Sequence, residues 1–477
     1  MPENHSQYIS PLASRYASKE MQYLFSEEYK LKTFRKLWII LAESEKELGL
    51  NITDKQIEEL KAHQDDIDYE VIKEKEKEIR HDVMANIYAY SLLCPNAKGI
   101  IHLGATSCYV DDNTDALIIK NASQIILNKA IQVLANLKKF ALENKKLITL
   151  GYTHLQPASL TTVGKRATLW MNELLIDINN LIFQINNLKP RGIKGATGTL
   201  ASFLDLFEGD KDKVRKLEKL VVNKMGFSKP LPVSGQTYTR KIDANFTDVL
   251  AGIATSAYKF SDDLRILQSF GEIEEPFEKK QVGSSAMPYK RNPMRAERLS
   301  SLSRYVIVES MNSNLTAATQ FLERTLDDSA NRRLTLSECF LTVDAILNIY
   351  INITDGLVVN KATIKKRIDA NLPFIACENI MMEACKKGQD RQKIHEIIRT
   401  YSQKCQTEVR QGKKNNLLKL IIDDKNIPLN REEIASIINP VNFIGLSVEQ
   451  TNDFIKEYIN PLLKKYHKEE IKKELEL

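Results

Sequence analysis

The stretch Gly283–Pro293, GSSAMPYKRNP, places two adjacent hydroxyls, two cations and an amide on a segment that Pro288 and Pro293 keep out of any helix. A serine hydroxyl is a poor base unless its alkoxide is stabilised, and nearby cations with aligned backbone N–H groups provide that. On a loop that closes over an anionic substrate, Ser284 or Ser285 is a candidate general base, with Lys290, Arg291 and Asn292 beside it. The plainer reading is a Gly-Ser-Pro connector, but a spacer needs none of those donors.

A base needs an acid. The histidines are His5, His63, His81, His102, His154, His395 and His467. A lone histidine is most often structural, yet two have better contexts. His154 stands in YTHLQPAS, just before a predicted long helix, with Pro157 holding the local backbone. His81 stands in IRHDVMA, between Arg80 and Asp82. Hydroxyls and amides recur in similar tight contexts: Thr106 and Ser107 in LGATSC, Thr153, and Gln236 in SGQTYTR. Arg324, Arg332 and Arg333 cluster in FLERTLDDSANRR and suit carboxylate or phosphate, or else act as salt-bridged helix caps. VGKRAT lacks the earlier glycine of a phosphate-binding P-loop, GIKGATG has the wrong glycine spacing for a dinucleotide fingerprint, and no metal-ligand spacing occurs.

Long helices must position these residues. Asp112-Asn113-Thr114 offers caps for a periodic apolar segment running to about Lys145. Further segments run from about Ser159 to Leu188, Arg240 to Phe270, Arg295 to Phe321 and Asn331 to Thr354. Helices of this length span roughly 40 Å at 1.5 Å per residue. Their apolar residues cover more than one face, which requires many neighbours, and an elongated bundle shared with other copies of the chain supplies them. Alternating patterns are rare and short, as in LITLGYTH, so the fold reads as all-α. Composition shifts near Asn96–Cys108 and Asp355–Ile364 divide the chain into residues 1–106, 107–359 and 360–477.

The 477 residues, 43% hydrophobic and 27% charged, suit a globular protein. No stretch reads as the ~20 apolar residues of a membrane helix, and MPENHSQYIS does not read as a signal peptide. Six cysteines without C-x-x-C pairs read as free thiols in the cytoplasm. The net charge of +6 is weak evidence for nucleic acid, because the lysines sit in mixed-sign runs such as Lys73–Arg80 and Lys464–Leu477.

GSSAMPYKRNP resembles the signature loop of the fumarase/aspartase superfamily, whose members release fumarate by β-elimination from anionic substrates. HLGATS (His102–Ser107) and THLQPA (Thr153–Ala158) resemble its other two motifs, in the same order. Within it the chain is similar to the adenylosuccinate lyase family in its animal form. SPLASRYAS, RHDVMA, GQTYTRK, EEPFEKKQVGSSAMPYKRNPMR, FLERTLDDSANRR and CENIMMEACKKGQDRQKIHEIIR carry that likeness over essentially the whole chain. Asp111 departs from it, standing where the family pattern has glycine, in what reads as the turn before the long helix.

The resemblance implies three helical domains, a homotetramer with shared active sites, small-molecule nucleotide substrates and no cofactor, metal, nucleic acid or membrane. It implies Ser284 as base, with Ser285 the open alternative, and His154 as acid paired with Glu297. Lys290 and Asn292 would stabilise the carbanion. Thr106, Ser107, Thr153 and Gln236 would hold the succinyl part. Arg15, Tyr16, Arg80, His81, Asp82, Arg298, Arg324, Ser329 and Arg333 would hold the nucleotide and its phosphate. Another fumarate-releasing lyase, such as argininosuccinate lyase, is the nearest alternative, and the arginines at 15, 324 and 333 argue against it. A helical nucleic-acid-binding scaffold has no aromatic-basic motif behind it, and a lyase recruited to a structural role would not need Ser284 and His154.

Overall fold

The computed structural model describes residues 6–471; His5 and the end of the Lys464–Leu477 run lie outside them. Its centre is built from five long helices: α1 (Cys108–Glu143), α2 (Val163–Asn187), α3 (Lys241–Ser269), α4 (Met294–Ala318) and α5 (Asp328–Asp355). The apolar periodicity predicts all five. α3 packs on α2, α4 and α5, and α1 on α2 and α5. Phe260 of α3 stacks on Tyr350 of α5 with ring centroids 4.4 Å apart, and meets the edge of Trp170 of α2 at 5.1 Å. α5 is in fact long and apolar enough to cross a bilayer, contrary to the sequence reading, but 72% of that stretch is buried inside the protein. It is a core helix, wrapped by its neighbours.

Two helix starts differ from expectation. α1 begins at Cys108, after Ser107, so Asp112, Asn113 and Thr114 are not caps but buried residues inside the helix. Tertiary partners hold them there. Asp112 accepts from the Tyr238 N–H at 2.5 Å and from Arg240 Nη2 at 3.2 Å, and Asn113 exchanges two 3.0 Å hydrogen bonds with the Gly192 backbone. Asp111 likewise lies in the helix, not in a turn before it.

α2 begins at Val163 because the residues before it form a hairpin. β1 (Ile148–Thr153) pairs antiparallel with β2 (Gln156–Thr162), and the Thr162 side chain then caps α2 at the Lys165 N–H, 3.1 Å away. His154 and Leu155 form the two-residue turn, with φ of +53° and +56°. Two consecutive left-handed residues suit the twist of such a hairpin. His154 therefore sits on a hairpin tip, not on a helix approach.

The N-terminal helices, including Glu27–Glu47, share one continuous core with the bundle, and the final segment returns to it through Ile455, Ile459 and Leu463. Residues between Ala376 and Ile434 build a second, smaller core.

Candidate active site

The first turns of α1, α3 and α5 are locked together at one end of the bundle. Arg240 is the shared cation: its Nε donates to Asp328 at 2.6 Å and its Nη2 to Asp112 at 3.2 Å, with all three side chains buried. Arg332 donates to Asp243 at 2.7 Å, to Asp115 at 2.8 Å and to the Tyr238 hydroxyl at 2.6 Å. Arg332 is thus a structural ion-pair residue. Sequence reasoning missed this network, although TYTRK and DDSANRR contain most of it, because nothing in their spacing says which charges meet.

Around the network lie the residues expected to bind substrate. Arg80, left-handed at φ +56°, ends one helix, and His81 caps the next, Asp82–Leu93. The His81 Nδ1 accepts from the Met84 N–H at 3.4 Å, which leaves Nε2 as the donor toward Ser107 Oγ at 3.4 Å. Thr106 and Ser107 start α1, their carbonyls accepting from Tyr109 and Val110. Asp82 lies 3.8 Å from Arg333, an otherwise open guanidinium. The Gln236 N–H donates to the Glu323 carbonyl at 2.9 Å, and Gly235 is required beside it, since a Cβ there would lie 2.5 Å from that oxygen. Arg324 donates to Asp328 at 2.7 Å, and Ser329 follows in the first turn of α5. Arg15 and Tyr16 end the turn Leu12–Tyr16, which packs on α5.

Asp111 belongs to this end too. Its backbone N–H donates to Ser107, and its carboxylate lies 3.5 Å from Lys30 Nζ. Burial, against the pull of Lys30 and helped by Asp82, Asp115 and Asp112, raises its carboxyl to about 7. An acid raised this way in the folded state holds its proton there more tightly than in the unfolded chain. Its contribution to stability therefore falls as pH rises from about 4 to about 7, and is flat above. Urea midpoints of wild type relative to Asp111→Asn should decline across that window; a constant difference would contradict this.

The residues expected to carry the elimination lie at the other end. The hairpin tip presents Thr153 and His154 to solvent, and no hydrogen bond to the His154 ring is found among the described residues. Tyr152 packs on Phe270, 5.2 Å between centroids, which fixes the hairpin beside the last residues of α3. The signature loop leaves from the same place. Gln268 donates to the Arg291 carbonyl at 3.0 Å, and the Glu275 carboxylate caps α4 through the N–H groups of Arg295 and Ala296. The loop closes on itself: Asn292 Nδ2 donates to the Gly283 carbonyl at 2.6 Å, and a Cβ at Gly283 would sit 2.0 Å from the Lys290 carbonyl. Ser284 Oγ accepts from two backbone N–H groups, Ala286 at 3.3 Å and Met287 at 3.1 Å. Ser285 and Lys290 are exposed beside it, and Glu297 and Arg298 sit in the first turn of α4.

One chain thus carries the expected site residues in two groups. Thr106, Ser107, His81, Asp82, Gln236, Arg324, Ser329 and Arg333 stand at one end. Thr153, His154, Ser284, Lys290, Asn292, Glu297 and Arg298 stand at the other, a distance set by the 29 residues of α3, about 43 Å at 1.5 Å per residue.

Comparison with solved structures gives this helical fold a class. It superposes on a fumarate lyase from Mesorhizobium sp. BNC1 with a TM-score of 0.80 at 20% identity, covering 93% of this chain and 99% of that one. A 3-carboxy-cis,cis-muconate lactonizing enzyme from Pseudomonas putida gives 0.81 at 21% identity, covering 95% and 99%. The family model described as lyase matches residues 15–308, and that described as adenylosuccinate lyase C-terminus matches residues 373–454. The sequence is 47% identical to the adenylosuccinate lyase of Saccharomyces cerevisiae over 472 residues, 98% of each chain. It is 44% identical to that of Schistosoma mansoni, covering 97% of each, and 33% identical to that of Methanocaldococcus jannaschii, covering 96% of this chain and 97% of that one. The chain belongs to the adenylosuccinate lyase family.

Proposed function

We propose that the protein is a carbon–nitrogen lyase of purine biosynthesis that cleaves adenylosuccinate to AMP and fumarate, and the succinyl-aminoimidazole-carboxamide ribotide to its carboxamide and fumarate. The observation that carries this is the near-full-length identity to adenylosuccinate lyases, 47% over 472 residues in one case. The arrangement of the loop supports Ser284 as the base. Two N–H groups already converge on its Oγ, and they would stabilise an alkoxide as its proton leaves. Ser284 removes a proton from the succinyl carbon beside a carboxylate. The carbanion spreads its charge into that carboxylate, where Lys290 and Asn292 gain interaction as charge grows. The C–N bond then breaks, its electron pair goes to the nitrogen, and His154, held by Glu297, protonates it. Thr106, Ser107, Thr153 and Gln236 hold the dicarboxylate, and the arginines with His81 and Ser329 hold the nucleotide.

The working unit is a homotetramer with shared active sites. The spread of the expected site residues along one chain supports this: antiparallel association sets one copy's nucleotide end against the elimination ends of others, so that a site takes His154 from one copy and Ser284 from another. Exposed apolar residues support it as well. Leu169, Ile176 and Phe183 repeat every seventh residue along α2 and are 51%, 54% and 62% exposed. Val308, Met311 and Leu315 of α4 are 66%, 63% and 64% exposed. Such faces are characteristic of helix–helix interfaces. The six cysteines, all free thiols, support a cytoplasmic location.

Purified protein is expected to release fumarate from both substrates in an ultraviolet assay, with chelator causing no loss. Turnover of argininosuccinate or malate with none of adenylosuccinate would overturn the assignment.

A further inference from the structure

Three parts of the chain meet at the Glu272 side chain, which is 1% exposed. The hydroxyl of Tyr152, in β1, donates to Oε1 at 2.6 Å. Arg367 Nε, from the helix Lys361–Ile375, donates to the same oxygen at 2.7 Å. Thr149 Oγ1, also in β1, donates to Oε2 at 3.5 Å, and Arg166 Nη1, in α2, lies 3.9 Å from it. Arg166 also donates to the Leu150 carbonyl, while its buried Nη1 has no hydrogen-bond acceptor. Arg367 lies over the Phe270 ring at 4.2 Å. The Glu272 backbone accepts from the Asn360 N–H at 2.9 Å, and the chain runs on from it through residues 273–282 into the signature loop.

A two-stranded hairpin is marginal by itself and takes its orientation from whatever its side contacts hold. Here those contacts converge on one carboxylate, whose partner Tyr152 stands two residues before His154 and which itself lies twelve residues before Ser284. We infer that Glu272 is a positioning residue for the reaction: it clamps the His154 hairpin to the root of the signature loop and, through Arg367, ties both to the C-terminal helices. It touches no reacting atom. It acts by holding the acid at the height the departing nitrogen requires, and misplacement of such a group by about 1 Å can cost 10²-fold in rate. This inference rests on His154 being the acid.

The test compares Glu272→Gln, Arg367→Met and Tyr152→Phe with wild type in the full-length enzyme. Each should lower kcat, by about 10-fold or more for the first two, with a smaller rise in KM, because among the expected binding residues Thr153 rides on the same hairpin while the nucleotide group lies at the bundle's other end. Tyr152→Phe keeps the ion pair and should fall less, in the same direction; it decides the matter if Glu272→Gln does not fold. Folded variants with unchanged kcat and a lowered unfolding midpoint would overturn the inference, since a merely structural cluster behaves that way. A rise in KM without loss of kcat would overturn it too. Wild-type enzyme inactive on adenylosuccinate would strike the proposed function instead.

Discussion

Ser284→Ala and His154→Gln subunits, each inactive alone, are expected to regain activity when unfolded and refolded together. Each variant alone should lose about 10²-fold or more in turnover, the usual effect of removing one general acid or base. The two residues sit on separate exposed elements, a loop and a hairpin tip, and the ring of His154 has no hydrogen-bond partner among the described residues of its own chain. If every site borrows its serine and histidine from different copies, random mixing gives about a quarter of the sites both wild-type groups. Substrate binding should survive in Ser284→Ala, because that hydroxyl acts chiefly in the transition state. The measurement is activity of the mixture against each variant refolded alone. No gain, with mixed tetramers confirmed by native mass spectrometry, would place both residues in one subunit or show that they are the wrong pair.

The second large effect concerns stability at the opposite end. Arg240→Met removes the cation shared by Asp112 and Asp328, each 1% exposed. Breaking a buried ion pair by removing one partner costs about 3–5 kcal/mol, because the remaining charge stays out of water without compensation. The urea unfolding midpoint should fall accordingly. KM should rise as well, since the same network aligns the first turns that carry Ser107, Ser329 and Arg333. An unchanged midpoint would mean that the network contributes little and that apolar packing alone aligns the three helices.

The five long helices were legible in the sequence, because apolar periodicity and Gly/Pro punctuation are local properties, written wherever a helix must bury most of its circumference. The irregular, donor-rich make-up of the loop was legible for a similar reason: GSSAMPYKRNP carries its hydroxyls, donors and breakers within one short stretch of chain. What the tertiary structure alone decided was non-local. Asp, Asn and Thr near a helix start satisfy backbone donors or distant partners equally well, so only the approach of Tyr238, Arg240 and Gly192 made Asp112 and Asn113 buried ties instead of caps. His154 precedes a helix in sequence, yet strand pairing with β1 carried it to a hairpin tip. The separation of the two groups of expected site residues depends on helix direction, which periodicity does not encode: α1, α3 and α5 start together because three buried charges meet there, and the loop and hairpin are left at the far end.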